Sequence, residues 1–483
     1  MSRIGLSSDI LPVGCSLCAT YCWISSFITF MLNRTTLNAS TSCISLTDLL
    51  KKKTLPETDF PFIYIQSCIE NPIKPLVVNI LCKIYAWEQR KLGAVYRNIR
   101  NAFVGTATPY YVESEEDGYF YLESNNIKEG QINRNAEVFI NEAFYQGQRD
   151  KWLHTGDLVM VQSGHVGHTA VIPKELDCVA AHALIMFQNS IDNINPYFTN
   201  YQLQTLESKK KLDYITTGNT IKHILASEMK QFTVDFSATI EEQTAISNFF
   251  LTLDDAITLH KRKLDGLKEL KRGYLQRMFP QAGENVPQVR FSRFTSDWER
   301  TTIGKISDIV RGASPRPIQN PKWFDKNSDV GWLRISDVTE QNGRINHLEQ
   351  KISQAGQSKT RVLRTPHLLF SIAATVGKPV INYIKTGVHD GFLIFLNPKF
   401  EQEFMFQWLE MFRPQWQQYG QPGSQVNLNS ELVKAQEVYL PANEEQTAIG
   451  DFFRNLDVQI SVQQQKLSQL KRLKSTYLQK MFI

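Results

Sequence analysis

The polar and apolar positions of this chain carry one strongly helical pattern, and it occurs twice. Over residues 241–279 the apolar side chains stand at Ile246, Phe250, Leu253, Ile257, Leu264, Leu267, Leu270, Tyr274 and Met278. Steps mostly of three and four residues draw a narrow stripe on a helix, suited to a helical partner rather than to a broad core. Residues 444–482 repeat the stripe at Ile449, Phe453, Leu456, Ile460, Leu467, Leu470, Leu473, Tyr477 and Met481. The two segments align without a gap at an offset of 203, with 22 of 39 positions identical. A helix of that length would run to about 58 Å. The simplest way to bury both stripes is to pack the helices on each other, antiparallel if the two halves are related by a pseudo-twofold. One polar interruption, His260 against Gln463, is expected to form a polar layer that sets the register. Glu241 and Glu242 at the start of the first segment, and Lys271 and Arg272 near its end, suit the helix dipole.

The rest of the chain is also a tandem. WEQRKLGAVY (87–96) corresponds to WERTTIGKIS (298–307), and YLESNNIKEGQI (121–132) to WLRISDVTEQNGRI (332–345). GDLVMVQSGHVGHTAVI (156–172) and PHLLFSIAATVGKPVI (366–381) are β-branched runs broken by a small-residue turn and resumed. TGNTIKHILASEM (217–229) and PGSQVNLNSELV (422–433) each place a polar turn before a short amphipathic run. The pattern predicts an α+β chain: two similar mixed α/β globules, each followed by a long helix, the helices pairing as an antiparallel coiled-coil spacer. The expected boundaries are an atypical segment at 1–86, globules at 87–236 and 298–440, helices at 237–280 and 441–483, and a Pro- and Gly-rich linker at 281–297.

Composition narrows this further. A chain of 483 residues with 42% hydrophobic and 21% charged residues can bury more than one core. A net charge of +5 permits a polyanionic partner without requiring one. Six of the seven cysteines fall within residues 1–82, which is no disulfide framework for the body and suits a cytoplasmic protein. Residues 10–32 are uncharged but diluted by Ser, Thr, Gly and Pro12, a weak membrane span and a weak signal peptide. Cys15, Cys18 and Cys22 lack a second pair at zinc-finger spacing. This segment is expected to be poorly structured and outside the functional fold.

Catalytic motifs are missing. The chain has no phosphate-binding GxxxxGK[ST] loop, no HExxH and no GxSxG. Asn195-Pro196-Tyr197-Phe198 resembles an amino-methyltransferase motif but lacks its second proline, and a turn before an aromatic core residue is the plainer reading. His165 and His168 could begin a metal site, but Thr375 and Lys378 stand at those positions in the second half. No metal ligand is expected there. The globules instead offer basic and amide side chains, the types that pair with phosphates and with base edges. In the first globule the candidate DNA-binding residues are Arg97, Asn98, Arg100, Asn101, Arg134, Arg149, Lys151, Gln162, Ser163 and His165. In the second they are Arg316, Gln319, Lys322, Arg334, Asp337, Thr375 and Lys378, and the basic and amide residues of both globules are expected on loops.

From Trp87 to the end the chain resembles the specificity subunits of type I restriction–modification systems, the methylase S family. The resemblance is carried by Trp87-Glu88 and Trp298-Glu299, by Arg290-Phe291 and Phe294, by the EEQTAI segments at 241–246 and 444–449, and by Tyr274-Leu275-Gln276 and Tyr477-Leu478-Gln479. It implies two target-recognition domains that each read one half of a bipartite, asymmetric site on double-stranded DNA. It also implies a helical spacer that docks two modification (methyltransferase) subunits, with restriction (motor/nuclease) subunits joining for cleavage. No cofactor is expected on this chain; S-adenosylmethionine, ATP and Mg belong to the partners the resemblance implies. The first globule departs from the family in lacking the Arg-Phe lead-in before Trp87. Two other readings compete on residues alone: a protein-binding scaffold without DNA specificity, and a self-contained DNA methyltransferase or endonuclease.

Overall fold

The computed structural model describes residues 87–191, 194–218, 222–281, 283–373, 375–419 and 428–482. The segment 1–86 lies outside them, as do residues 219–221 and 422–427 of the fourth motif. The chain divides into two compact units, one running to Leu253 and taking back Leu473–Ile483, the other spanning Asp254–Arg472.

In the first unit, strand β1 (Glu88–Lys91) leads into β2 (Tyr96–Asn101). A hairpin follows, β3 (Leu158–Val161) and β4 (Thr169–Val171), then β5 (Leu184–Ser190). The sheet order is β2-β5-β3-β4, antiparallel throughout. The broken β-branched run is therefore a hairpin, turned at Gly164 and Gly167, whose φ of +81° and +83° glycine adopts without strain. Its apolar residues are buried over the face that also holds Leu122, Ile127, Leu153 and Met186. Helix α1 (Pro196–Leu203) starts at the expected turn, with Asn195 capping the Tyr197 N–H at 3.0 Å and Phe198 fully buried. Strand β6 (Thr233–Phe236) pairs antiparallel with β1, so the entry and exit of the globule close on each other. The long helix α2 (Ile240–Arg277) starts four residues later.

The second unit repeats this plan. Strands β7 (Glu299–Thr302), β8 (Asp308–Arg311), β9 (Arg344–Ile345), β10 (Leu368–Ser371), β11 (Pro379–Asn382) and β12 (Phe392–Leu396) appear in turn. The sheet order β8-β12-β10-β11 matches that of the first unit, with β9 added in parallel on the far side of β11. Helix α3 (Gln402–Met411) takes the place of α1, strand β13 (Glu437–Leu440) pairs with β7, and α4 (Asn443–Lys480) follows.

Each unit holds the start of one long helix and the end of the other, and in each the two run antiparallel. In the first, Phe249 meets Tyr477 edge-on at 5.1 Å and Phe250 stacks on Phe482 at 5.9 Å. In the second, Tyr274 meets Phe452 at 5.0 Å, Phe279 stacks on Phe453 at 6.0 Å, and Lys271 pairs with Asp457 at 2.6 Å. Ile246, Phe250, Leu253, Leu264, Ile449, Phe453, Leu456 and Ile460 are buried, while Ile257, Leu267, Tyr274, Leu467, Leu470 and Tyr477 are half-buried. Leu270 is exposed, whereas its counterpart Leu473 is half-buried. The polar interruption is a direct contact: His260 Nδ1 and Gln463 Oε1 lie 2.7 Å apart.

The family-like residues now have physical roles. Trp87 packs on Phe482 and Phe198, and Trp298 packs on Phe279 and Phe404, so the tryptophan opening each globule seals the end of a long helix. Arg290 holds the buried Glu445 with two bonds of 2.7 Å, and Phe291 lies against Phe452. The segment before Trp298 is thereby fastened to the start of α4. Glu242, the counterpart of Glu445, bonds instead to the Ser237 hydroxyl.

Candidate nucleic-acid interface

The candidate residues of the first unit fall in four places. Arg97, Asn98, Arg100 and Asn101 were expected in a loop but form most of β2. An edge strand tolerates such a polar run, because backbone pairing to the apolar β5 holds it extended while one flank stays open. Arg97 and Asn98 are exposed. Arg100 turns inward: its guanidinium donates to the Asp150 carbonyl and, at 3.4 Å, to Gln188 Oε1. That contact joins β2 to the turn carrying Arg149 and Lys151.

Arg149 lies over the Trp152 ring at 5.7 Å, Trp152 stacks on Tyr145 at 4.5 Å, and Tyr145 stacks on the exposed Tyr119 at 3.9 Å. The aromatic column restricts the Arg149 side chain, which lowers the entropy it would lose on contacting a ligand. Gln162, Ser163 and His165 sit at the β3–β4 turn, where Ser163 bridges to His223. The His165 and His168 rings are 6.2 Å apart; burial, and then the neighbouring His165, hold the His168 pKa below its ordinary value. Arg134 stands apart, over the Phe120 ring at 4.9 Å and paired with Glu137.

In the second unit a cleft of about 840 Å³ is lined by Gln319, Trp332, Arg334, His389, Lys326 and Lys351, among others. Gln319 and Arg334 were expected at the site, and the fold brings them together. Arg316 joins from the rim: it donates to Asp390 Oδ2 at 3.1 Å, beside His389. Burial works against charge on Asp390, but the Ser314 hydroxyl, His389, Arg311 and Arg316 outweigh it and hold its carboxyl below the ordinary range. Lys322 is exposed and covers the Trp323 ring at 4.3 Å.

Three candidates are committed to the fold. Asp337 is 3% exposed and accepts the Arg334 N–H at 2.8 Å, opening the helix Ile335–Glu340. Its counterpart Asn126 accepts the Glu123 N–H at 2.9 Å in the first unit. Lys378 bonds to Glu410 at 2.5 Å and to Asn342 at 2.9 Å, and Thr375 lies 3.4 Å from the Ser371 hydroxyl. Sequence reading missed Trp332, His389, Lys326 and Lys351. The two lysines lie in loops outside the repeat, so no internal comparison marks them.

Residues 85–269 and 295–472 match the type I restriction modification DNA specificity domain in two copies. The chain belongs to that family. It is 19% identical over 410 residues to the type I restriction enzyme MjaVIII specificity subunit of Methanocaldococcus jannaschii, spanning 80% of this chain and 90% of that protein. A type I specificity subunit of Mycoplasma genitalium is 19% identical over 177 residues, 36% of this chain and 45% of that protein. A crystal structure of a type I restriction-modification S subunit from M. genitalium aligns with a TM-score of 0.58 at 15% identity, over 83% of this chain and 98% of that one. The shared architecture of this specificity-domain family is therefore an observation of fold as well as of sequence.

Proposed function

We propose that this chain is the DNA specificity subunit of a type I restriction–modification complex, without catalysis of its own. Each globule reads one half of an asymmetric, bipartite site on double-stranded DNA. The paired α2 and α4 act as the spacer and present the surface on which two modification subunits dock. Restriction subunits join that assembly, and S-adenosylmethionine, ATP and Mg are used by the partners. The observation that carries this reading is the specificity domain matched twice in tandem, over 85–269 and 295–472.

Its chemistry is consistent with the side chains on offer. Arginine, glutamine and asparagine supply the paired donors and acceptors that distinguish base pairs in the major groove, and lysine supplies phosphate contacts. Arg97, Asn98 and Arg149 are exposed on the first globule, and Gln319, Arg316 and Lys322 on the second. These sets differ, which suits an asymmetric target.

The test is co-expression with the neighbouring modification subunit, followed by methylated-base sequencing of host DNA. Methylation at one split motif, dependent on this chain, is the expected result. Absence of any motif, or methylation by the purified chain alone with S-adenosylmethionine, overturns it.

A further inference from the structure

Beside the Arg149 turn, the antiparallel bridge between Leu153 and Val179 sets two short segments side by side. His154 follows one bridge residue, and Asp177 and Cys178 precede the other. His154 Nδ1 lies 3.7 Å from Cys178 Sγ and 3.6 Å from Asp177 Oδ1, and Cys178 Sγ lies 3.4 Å from Asp177 Oδ2. Each residue offers a ligand atom, all within 4.8 Å of one another. We propose that His154, Asp177 and Cys178 form a binding site for a divalent transition-metal ion, with zinc as the best match.

Three properties point the same way. The first is spacing. Tetrahedral zinc with ordinary bonds to sulfur, nitrogen and oxygen sets its ligand atoms about 3.4–3.6 Å apart. His154 Nδ1 and Cys178 Sγ, 3.7 Å apart, stand close to the sulfur–nitrogen edge, and a carboxylate oxygen of Asp177 lies within 4.8 Å of both, so a small rotation of the carboxylate closes the third corner. The second is ligand chemistry. A thiolate, an imidazole and a carboxylate form a mixed soft and borderline set that selects zinc over calcium or magnesium. With a dication the two anionic ligands give a neutral site, and three protein ligands leave a fourth position for water.

The third is support from behind. Cys178 sits at φ +64°, a conformation that costs a residue with a Cβ, and the Tyr145 hydroxyl holds its carbonyl there at 2.8 Å. Asp177 Oδ1 accepts the Thr155 N–H at 2.8 Å and its hydroxyl at 3.0 Å, which fixes the carboxylate toward the site. His154 and Asp177 are exposed, so an ion can enter from solvent. On binding, the Cys178 S–H bond breaks, the sulfur–metal bond forms, and the proton passes to solvent. The ion would cross-link the Leu153 and Val179 segments next to the turn that carries Arg149 and Lys151.

The test uses the full chain, freed of metal with a chelator and then alkylated with or without added zinc. The peptide containing Cys178 is quantified by mass spectrometry, which separates this thiol from the six cysteines of residues 1–82. Zinc is expected to slow alkylation of Cys178 by about tenfold or more, since the metal-bound thiolate is withdrawn from reaction. That protection is expected to vanish in His154→Ala, whose exposed side chain supports no core. An unchanged rate in the native chain means that the cluster is only hydrogen-bonded, and overturns the proposal. So does protection that survives in His154→Ala.

Discussion

Gln446 Oε1 accepts the backbone N–H of Glu401 at 2.9 Å, while its amide nitrogen donates to the Pro441 carbonyl at 2.9 Å. Gln243 does the same in the first unit, accepting from the Asn195 N–H at 3.1 Å and donating to the Ser237 carbonyl at 3.2 Å. Glu401 and Asn195 are the residues that cap α3 and α1. The glutamine of each EEQTAI segment thus fastens the first turn of a long helix to a capping residue of the globule before it. Both glutamines are buried, so truncation strands backbone groups that water cannot reach.

Gln446→Ala is expected to cost about 1–3 kcal/mol, the usual penalty for an unsatisfied buried partner. For a unit of this size that lowers the thermal midpoint by about 2–10 °C. Calorimetry on the full chain measures it, and a midpoint equal to that of the native chain would show that the tie contributes nothing.

Asp457 on α4 accepts from three sides: Lys271 at 2.6 Å, Arg344 at 2.9 Å and Gln407 at 2.9 Å. Burial disfavours its charge, but Lys271 and Arg344 outweigh burial and hold the carboxyl below its ordinary value of 3.8. A carboxyl depressed by folding adds stability that is complete above its unfolded value and lost as pH falls through the folded one. Asp457→Asn is expected to cost about 3–5 kcal/mol at neutral pH, because Arg344 and Lys271 then lose a buried counter-charge. It should also flatten the decline in stability below the ordinary Asp range. Denaturant titrations at several acidic pH values decide it; a variant with the native acid slope would rule the network out as the cause.

His182 and Glu123 give the opposite sign. His182 Nδ1 lies 3.3 Å from Glu123 Oε1, and the Tyr111 hydroxyl donates to that same oxygen at 2.7 Å. The Glu123 hydrogen bond, opposed by burial and aided by the Gly105 carbonyl, raises the His182 pKa above 6.5. A histidine raised by folding contributes stability that is complete below its unfolded value and fades as pH rises through the folded one. Glu123→Gln is therefore expected to destabilise the first unit more at pH 6 than at pH 8. Proton NMR titration of His182 would show a lower midpoint in the variant, and an unshifted midpoint would refute the pairing.

Much of the fold was readable in the residues, for reasons that are local. A stripe held over ten turns and copied at a fixed offset identifies α2 and α4 and their likeness. A β-branched run broken by a small-residue turn at Gly164 and Gly167 and then resumed identifies the β3–β4 hairpin. The site was less readable because its partners are remote in sequence. Arg100 reads as a DNA contact until Asp150 and Gln188 are seen beside it, and Lys378 until Glu410 is. Asp337 did leave a signal: an acceptor three residues after Arg334, matched by Asn126 three after Glu123, marks a paired turn rather than a reader of bases. The cleft drew on Lys326 and Lys351, whose loops have no copy in the first half to compare with.

The spacer proposal makes a geometric prediction. Because α2 and α4 run antiparallel, shortening one alone would break the register, so four residues must leave both at facing positions: 263–266 from α2 and 458–461 from α4. The cut spares the His260 and Gln463 pair. Four residues of helix are about 6 Å. At 3.4 Å per base pair the unread gap between half-sites should then shorten by about two base pairs. Both half-sites should keep their sequences, since no residue of either globule changes. Methylated-base sequencing of cells carrying the shortened chain and its modification subunit gives the gap directly. A native gap, or altered half-sites at a native gap, would mean that the helices join the globules without measuring the distance between them.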